Sequence, residues 1–487
     1  TLAYTGALTA DSYVQDLSAL IDRAGEYADK GIPNSVRQQL TDAIANARKT
    51  LESSSDNQEA INQARKALKT AIQEAKASIA RYAALQTRVD YANKVLEWWK
   101  DDKRKATAVA SLQTAVGTAN SQLTDYTLTD TQITQAVTTL NTKITAVDKK
   151  IYCSGSACGS DTQLKDPSNQ WCYDRSIQSK HWILFWEDGY GKDAPASAES
   201  ILNTADKIFE LYADSLKFIT IGQGKSKTDT YKMIIRLRYT TEWEASGSGI
   251  DNTIGMLTLS RWAYTSRSGQ TVAHEIGHCF QYQTHCDNGD QNGWMYTWAN
   301  SQNGNVFWEM CAQWQAYKFY PDMQFNNEWL NNTLNGFHKN PLAEELRYNN
   351  YFIQDYFCHK HGMDIIARLW NESKNPEDPF QAYMRLTMPS TMTATQKLEQ
   401  FNNEMWEYGA RMTTFDLDPI RSRGEGTIGK RAQTKLTQEA DGFWASQSAD
   451  CIENFGNNAI RVNAPVTDKK IYAQFVGEAG KDGFIKY

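Results

Sequence analysis

Residues Thr271–Cys286 read TVAHEIGHCFQYQTHC, and the rest of the chain is organised around them. The stretch holds His274-Glu275-Ile276-Gly277-His278, two histidines four residues apart with a glutamate between them. Val272, Ala273, Ile276 and Phe280 supply an apolar face and no proline interrupts it, so the spacing predicts a helix. Residues four apart on a helix share one face, one turn above the other. Two imidazoles so placed can grip a single zinc ion, with Glu275 beside them as a general base. A buried helix carrying two hydrogen-bonded histidines would satisfy the same five residues, so the surroundings have to decide.

A catalytic zinc needs a third protein ligand. Phe307–Pro321, FWEMCAQWQAYKFYP, reads as a second helix ended by its proline. Glu309 lies near its start, 31 residues after His278. With His274, His278 and Glu309 in this order, the chain resembles the gluzincin branch of the zincin metallopeptidases, where a glutamate on the next helix completes a two-histidine, one-glutamate site. Gln281, three residues after His278, matches the HExxHxxQ form of the enhancin-like, mucin-directed group within that branch. The resemblance implies Zn2+ as cofactor, Glu275 as catalytic base, and a cleft between a strand-rich and a helical half.

The pattern departs from the family in two places. The gap between His278 and Glu309 is longer than in most gluzincins. Gln313 stands where the thermolysin type has an aspartate, on the face of Glu309 and so placed to orient a ligand. His285 is a tempting rival ligand, because another zincin motif ends in HExxHxxGxxH. Here Gln281 and Thr284 occupy its glycine and final histidine positions, and His285 comes one residue late. A continuing helix would carry His285 about 10.5 Å along the axis from His278, at 1.5 Å per residue, so it is not expected to bind. Tyr317, His338, Tyr348, Tyr351 and His359 are all candidates for the donor that steadies a developing oxyanion, and the sequence does not choose among them. Trp294, Tyr296, Trp298, Trp308 and Trp314 crowd the same region, as core packing or as stacking surface for peptide or sugar.

Upstream, HWILFWED (His181–Asp188), YKMIIRLRY (Tyr231–Tyr239) and NTIGMLTLSRWAY (Asn252–Tyr264) read as strands, with a helix over Ala196–Leu216. Met256–Arg261 is the expected free edge to which an extended peptide could add. Downstream, helices are expected over Leu342–His359, Met363–Asn371 and Thr395–Arg411. NAIRVNAP and Lys470–Glu478 are expected to form a small β unit.

The first 150 residues have a different texture. Leu40, Ala43, Ile44, Ala47 and Leu51 recur 72 residues later as Leu112, Ala115, Val116, Ala119 and Leu123. Ile61, Leu68, Ile72, Ala75 and Ile79 recur at the same offset, and Leu17, Ile21 and Ala24 recur 68 residues on. Apolar spacing of three and four makes each unit a three-helix module. Asp56 and either Thr129 or Asp130 are the expected N-caps. The pattern is similar to the short three-helix modules of bacterial cell-surface proteins, which implies a spacer. Trp98 and Trp99 are expected to plug the end of a bundle.

The composition is that of a globular chain: 487 residues, 41% hydrophobic, 22% charged. A net charge of -6 argues against a nucleic-acid surface, for which a basic stripe is expected. No apolar run approaches the roughly 18 residues of a membrane span. The eight cysteines are even in number, as an oxidising compartment favours. Cys153 and Cys158 are spaced for a tight disulfide, and Cys279 and Cys311 suit buried thiols. The chain opens on Thr1 rather than Met and stops in a strand-like run, so a removed leader and a shortened final unit are expected.

The expected fold is therefore α+β, with two three-helix bundles (1–79 and 80–151), a zincin-like domain (152–426) and a β-rich unit (427–487). The expected function is a secreted or cell-surface zinc endopeptidase acting on extracellular protein or glycoprotein, with glycan contact and no transmembrane segment. A non-catalytic adhesive protein on the same fold, or a glycan-active hydrolase, is the alternative.

Overall fold

In a computed structural model, residues 10–289, 294, 296, 304–440 and 442–462 are described. The chain divides into two compact units, Thr1–Lys149 and Lys150–Tyr487. Its architecture is α+β: helical bundles, a mixed sheet with a helical half, and a small C-terminal two-stranded sheet.

The first unit holds α1 (Ala10–Ala28), α2 (Asn34–Ser53), α3 (Gln58–Trp99), α4 (Ala106–Leu123) and α5 (Asp130–Val147). The 42-residue α3 serves both bundles. Its first half packs Ile61, Leu68, Ile72 and Ala75 against α1 and α2. Its second half packs Leu85, Val89, Ala92 and Val95 against α4 and α5. At the seam, Ser78 donates to Asp130 (2.8 Å) and Arg81 pairs with the same carboxylate. Thr129 caps α5 in a reciprocal capping box with Gln132, but Asn57 caps α3 where Asp56 was expected. Asn57 is the residue whose side-chain oxygen reaches the Ala60 N–H, three positions on. Trp99 is buried at the bundle end with its indole N–H on Asp148 (3.3 Å).

In the second unit the strands are β1 (Lys150–Ile151), β2 (Ser176–Gln178), β3 (Trp182–Trp186), β4 (Tyr231–Arg238), β5 (Ala245–Ile250) and β6 (Ile254–Ser260). The sheet runs β2-β3-β4-β6-β5, with β1 also pairing β4. β3, β4 and β6 are parallel, and β5 is antiparallel to β6. This corrects the expected edge. Met256–Arg261 lies on and just beyond β6, which is flanked on both sides, and among the described residues the terminal strands are β2 and β5. Six of the seven β6 residues are buried, as an interior strand requires.

Two helices support the sheet: α6 (Ala198–Glu210) against β3, and α7 (Gln270–Asn288) against β5 and β6. Phe280 of α7 meets Phe209 and Tyr212, and the Tyr212 hydroxyl donates to the Ala273 carbonyl (2.9 Å). The turn that launches α7 is strained. Arg267, Ser268 and Gly269 all have positive φ, disfavoured for the first two. Arg267 is held by Glu328 (2.6 Å) and lies over the Trp329 ring.

The helical half comprises α8 (Gly304–Phe319), α9 (Phe352–His361), α10 (Asp364–Asn371), α11 (Pro379–Thr387) and α12 (Ala394–Arg411), with α8 packed along α7. The C-terminal hairpin pairs β7 (Leu436–Gln438) with β8 (Trp444–Ser446). It lies upstream of the stretches expected to form it. Asn458–Val462 forms no strand, and Lys470–Glu478 lies outside the described residues. Cys153 and Cys158 are disulfide-bonded, and Cys279 and Cys311 are buried thiols.

Candidate metal centre

The middle of α7 carries His274 and His278, one turn apart, and the early turns of α8 carry Glu309. Because the two helices pack together, the three side chains converge. The Nε2 atoms of His274 and His278 are 3.1 Å apart, and Glu309 Oε2 lies 3.1 Å from the first and 3.4 Å from the second. Ligands about 2.0–2.1 Å from a tetrahedral zinc stand about 3.3 Å from one another. The triangle therefore has the size that zinc coordination demands, and two imidazoles with one carboxylate are a zinc donor set. Among the described residues, these three are the group of histidines, cysteines and carboxylates gathered closely enough to hold a metal.

The electrostatics follow from that closeness. Burial alone would lower the proton affinity of His278, but the Glu309 carboxylate outweighs it and pushes His278 up to about 9. Burial would raise Glu309, yet the facing histidines win and hold its carboxyl well below the usual range. Behind the ring nitrogens, His274 Nδ1 meets Gln313 Oε1 (3.1 Å) and His278 Nδ1 meets Gln281 Oε1 (2.9 Å).

Glu275 is half-buried beside the triangle. Its Oε2 accepts the Gly247 N–H of β5 (2.7 Å), and among the described residues its Oε1 accepts nothing. The sequence reading missed β5 altogether, because ASGSGI lacks the branched residues of a strand until its last position. Packing explains the composition. A Cβ on Gly247 would lie 1.8 Å from the Glu275 carbonyl oxygen, and one on Gly249 would lie 2.0 Å from the Tyr282 ring. The strand is small so that it can lie on the helix.

Of the five candidate oxyanion donors, Tyr348 faces the site. Its ring centroid is 6.0 Å from that of His274, and it stacks on Trp329. Burial and the nearby Glu309 charge push its hydroxyl up to about 12, so it keeps a proton to donate. The others serve the framework. Tyr317 is sealed in the core against Tyr351, whose hydroxyl donates to the Gln324 carbonyl (3.1 Å). His359 pairs with Asp418 (2.9 Å), and His338 meets the C-terminal segment through its carbonyl. His285, in the last turn of α7, bonds Asn252 and the Gly289 carbonyl, apart from the triangle.

The aromatic residues also divide. Trp314 and Tyr296 are core, with their polar atoms on Asp355 and the Leu369 carbonyl. Trp308, next to Glu309, is half-buried and stacks on Trp294 with centroids 4.0 Å apart. Trp298 lies outside the described residues.

Comparison with known proteins places this geometry in a context. A FIVAR domain, a bacterial surface-associated module, matches residues 21–76 and again 81–148, the two repeats joined by α3. No match was found among curated proteins or among solved structures. No helix among the described residues is long and apolar enough to cross a membrane. A model described as a family of unknown function (DUF6055) matches residues 143–487, which include every strand of the sheet and the whole candidate centre. The chain belongs to that family, carried behind two FIVAR modules.

Proposed function

We propose that this protein is a zinc-dependent endopeptidase, secreted or attached to the bacterial surface, that hydrolyses extracellular protein or glycoprotein. The observation that carries the reading is the triangle of His274, His278 and Glu309 with the Glu275 carboxylate beside it. The FIVAR modules support the surface location. A zinc ion held by the three side chains would supply Lewis acidity toward a carbonyl and acidify water.

The remaining chemistry belongs to the chain. Glu275 takes a proton from the attacking water at Oε1 and passes it to the leaving amine nitrogen. The Gly247 N–H fixes the other oxygen of that carboxylate and so sets its orientation. Tyr348 donates to the substrate carbonyl oxygen as negative charge builds there. Among the described residues no strand pairs the outer edge of β5, and apart from the Gly247 N–H held by Glu275 that edge offers its backbone to an extended substrate by strand addition.

The test is hydrolysis of a mixed panel of proteins and glycoproteins by the full chain, read by mass spectrometry with and without chelator. Chelator-sensitive cleavage of peptide bonds is expected. Release of sugar instead of peptide would point to a glycan hydrolase, and chelator-insensitive binding without cleavage to an adhesin. Either result would overturn the proposal.

A further inference from the structure

We infer that Gln313 and Gln281 tune the affinity of the candidate centre, by supporting both imidazoles with neutral amide oxygens instead of a carboxylate. The inference rests on the metal-centre reading and concerns what stands behind the ligands.

Each histidine directs Nδ1 at a glutamine oxygen, His274 at Gln313 and His278 at Gln281. Nδ1 of each histidine thus has an acceptor for its proton, which leaves both Nε2 atoms, converging with Glu309, to face a metal ion. Both glutamines are sealed from solvent, at 0% exposure for Gln281 and 1% for Gln313. Both are held in turn. Gln281 Nε2 donates to the Trp308 carbonyl (3.1 Å) and to Gln315 Oε1 (3.3 Å), and Gln270 Nε2 donates to Gln313 Oε1. Four buried glutamines on two facing helices thus form an uncharged layer behind the ligands.

An ionised carboxylate at such depth would be costly to bury. An amide fixes the tautomer and the ring orientation without that cost. It also withholds something, because a carboxylate acceptor raises the basicity of the histidine and neutralises part of the metal charge. Changes in such supporting partners typically alter metal affinity about 10–100-fold. The amide layer therefore leaves the ion more weakly held and more electrophilic than carboxylate support would.

The two glutamines differ in a way that gives a clean test. Gln313 Nε2 is buried without a hydrogen-bond partner, so Gln313→Glu exchanges an idle donor for an oxygen while its other oxygen still accepts from His274 and Gln270. Gln281→Glu would instead press an oxygen against two acceptors, the Trp308 carbonyl and Gln315 Oε1. Gln313→Glu is therefore the variant to use.

Zinc affinity of the full chain is measured by competition with a chromophoric chelator. Gln313→Glu should bind zinc about 10-fold more tightly or better, and Gln313→Leu, which accepts no hydrogen bond, about 10–100-fold more weakly. Nitrogen-15 spectra of histidine-labelled, zinc-loaded protein supply a second readout. The His274 Nδ1–H should show a hydrogen-bonded proton shift in wild type and in Gln313→Glu, and lose it in Gln313→Leu.

Wild-type zinc binding with equal or weaker affinity in Gln313→Glu would overturn the inference and leave the metal centre standing. Were Gln313→Glu not to fold, an unchanged His274 Nδ1–H shift together with unchanged zinc affinity in Gln313→Leu would overturn it equally. A wild-type chain that takes up no zinc would remove the metal centre, and this inference with it.

Discussion

Replacing Gly247 by alanine should damage both the fold and the centre, although the substitution is mild on paper. Gly247 sits in β5 without a positive φ, so alanine can adopt its backbone conformation. In open space the loss of unfolded-chain entropy would stabilise the protein by about 0.4–1 kcal/mol. Here the added Cβ meets the Glu275 carbonyl oxygen at 1.8 Å and His278 Cβ at 2.8 Å. Reaching an ordinary 3.4 Å contact requires the strand and helix to part by about 1.6 Å. A backbone carbonyl cannot rotate away as a side chain can, which places the strain toward the upper end of about 1–3 kcal/mol. Parting the two elements also breaks the Gly247 N–H bond to the Glu275 carboxylate, and a bond to a charged group contributes about 1.5–3 kcal/mol. The net expectation is a loss of roughly 3–5 kcal/mol.

Urea unfolding followed by tryptophan emission reads this in the relevant unit, since only Trp98 and Trp99 of the 15 tryptophans precede Lys150. Gly426→Ala serves as control, because nothing lies within 4 Å of its added Cβ. Equal stability of Gly247→Ala and wild type, within about 0.5 kcal/mol, would refute the close packing of β5 on α7.

Glu275→Gln should retain zinc while losing at least the 10²–10⁴-fold typical of a general base, checked by metal content and turnover on one preparation. Tyr348→Phe should keep fold and metal and lower kcat by up to about 10²–10³-fold at nearly constant KM, as expected for a contact made mainly in the transition state. For the metal-free protein the sign of the pH effect follows from His278, raised from 6.5 to about 9. A raised value contributes stability fully below 6.5 and loses it as pH rises through about 9, so the melting temperature of chelated protein should fall across that window. His278→Gln should flatten the fall. The depressed Glu309 acts at the other end, its contribution present above the ordinary carboxylate range and lost as pH falls.

The sequence carried the parts of this fold that depend on local periodicity. The apolar spacing around His274 and His278 marks α7, and the offset of 72 residues between Leu40 and Leu112 marks the paired bundles. The edge strand was illegible because its composition answers a tertiary demand. Gly247 and Gly249 are there for the helix above them, and a Gly/Ser run reads locally as loop. The misplacement of the edge on β6 was avoidable, since IGMLTLS lacks the alternation of a strand with one wet face. The C-terminal hairpin also had a signal, the Asp441-Gly442 pair between short strand-like runs. The choice of Tyr348 over Tyr317, Tyr351, His338 and His359 was out of reach, because it depends on which ring the chain returns to the α7–α8 face.

The central claim is that His274, His278 and Glu309 together hold one zinc ion, and X-ray absorption at the zinc edge on the full chain tests it most directly. The spectrum should fit two imidazole nitrogens plus oxygen ligands, unchanged in His285→Ala and lost with the metal in Glu309→Ala. A fit requiring three imidazoles, or full zinc occupancy in Glu309→Ala, would contradict it.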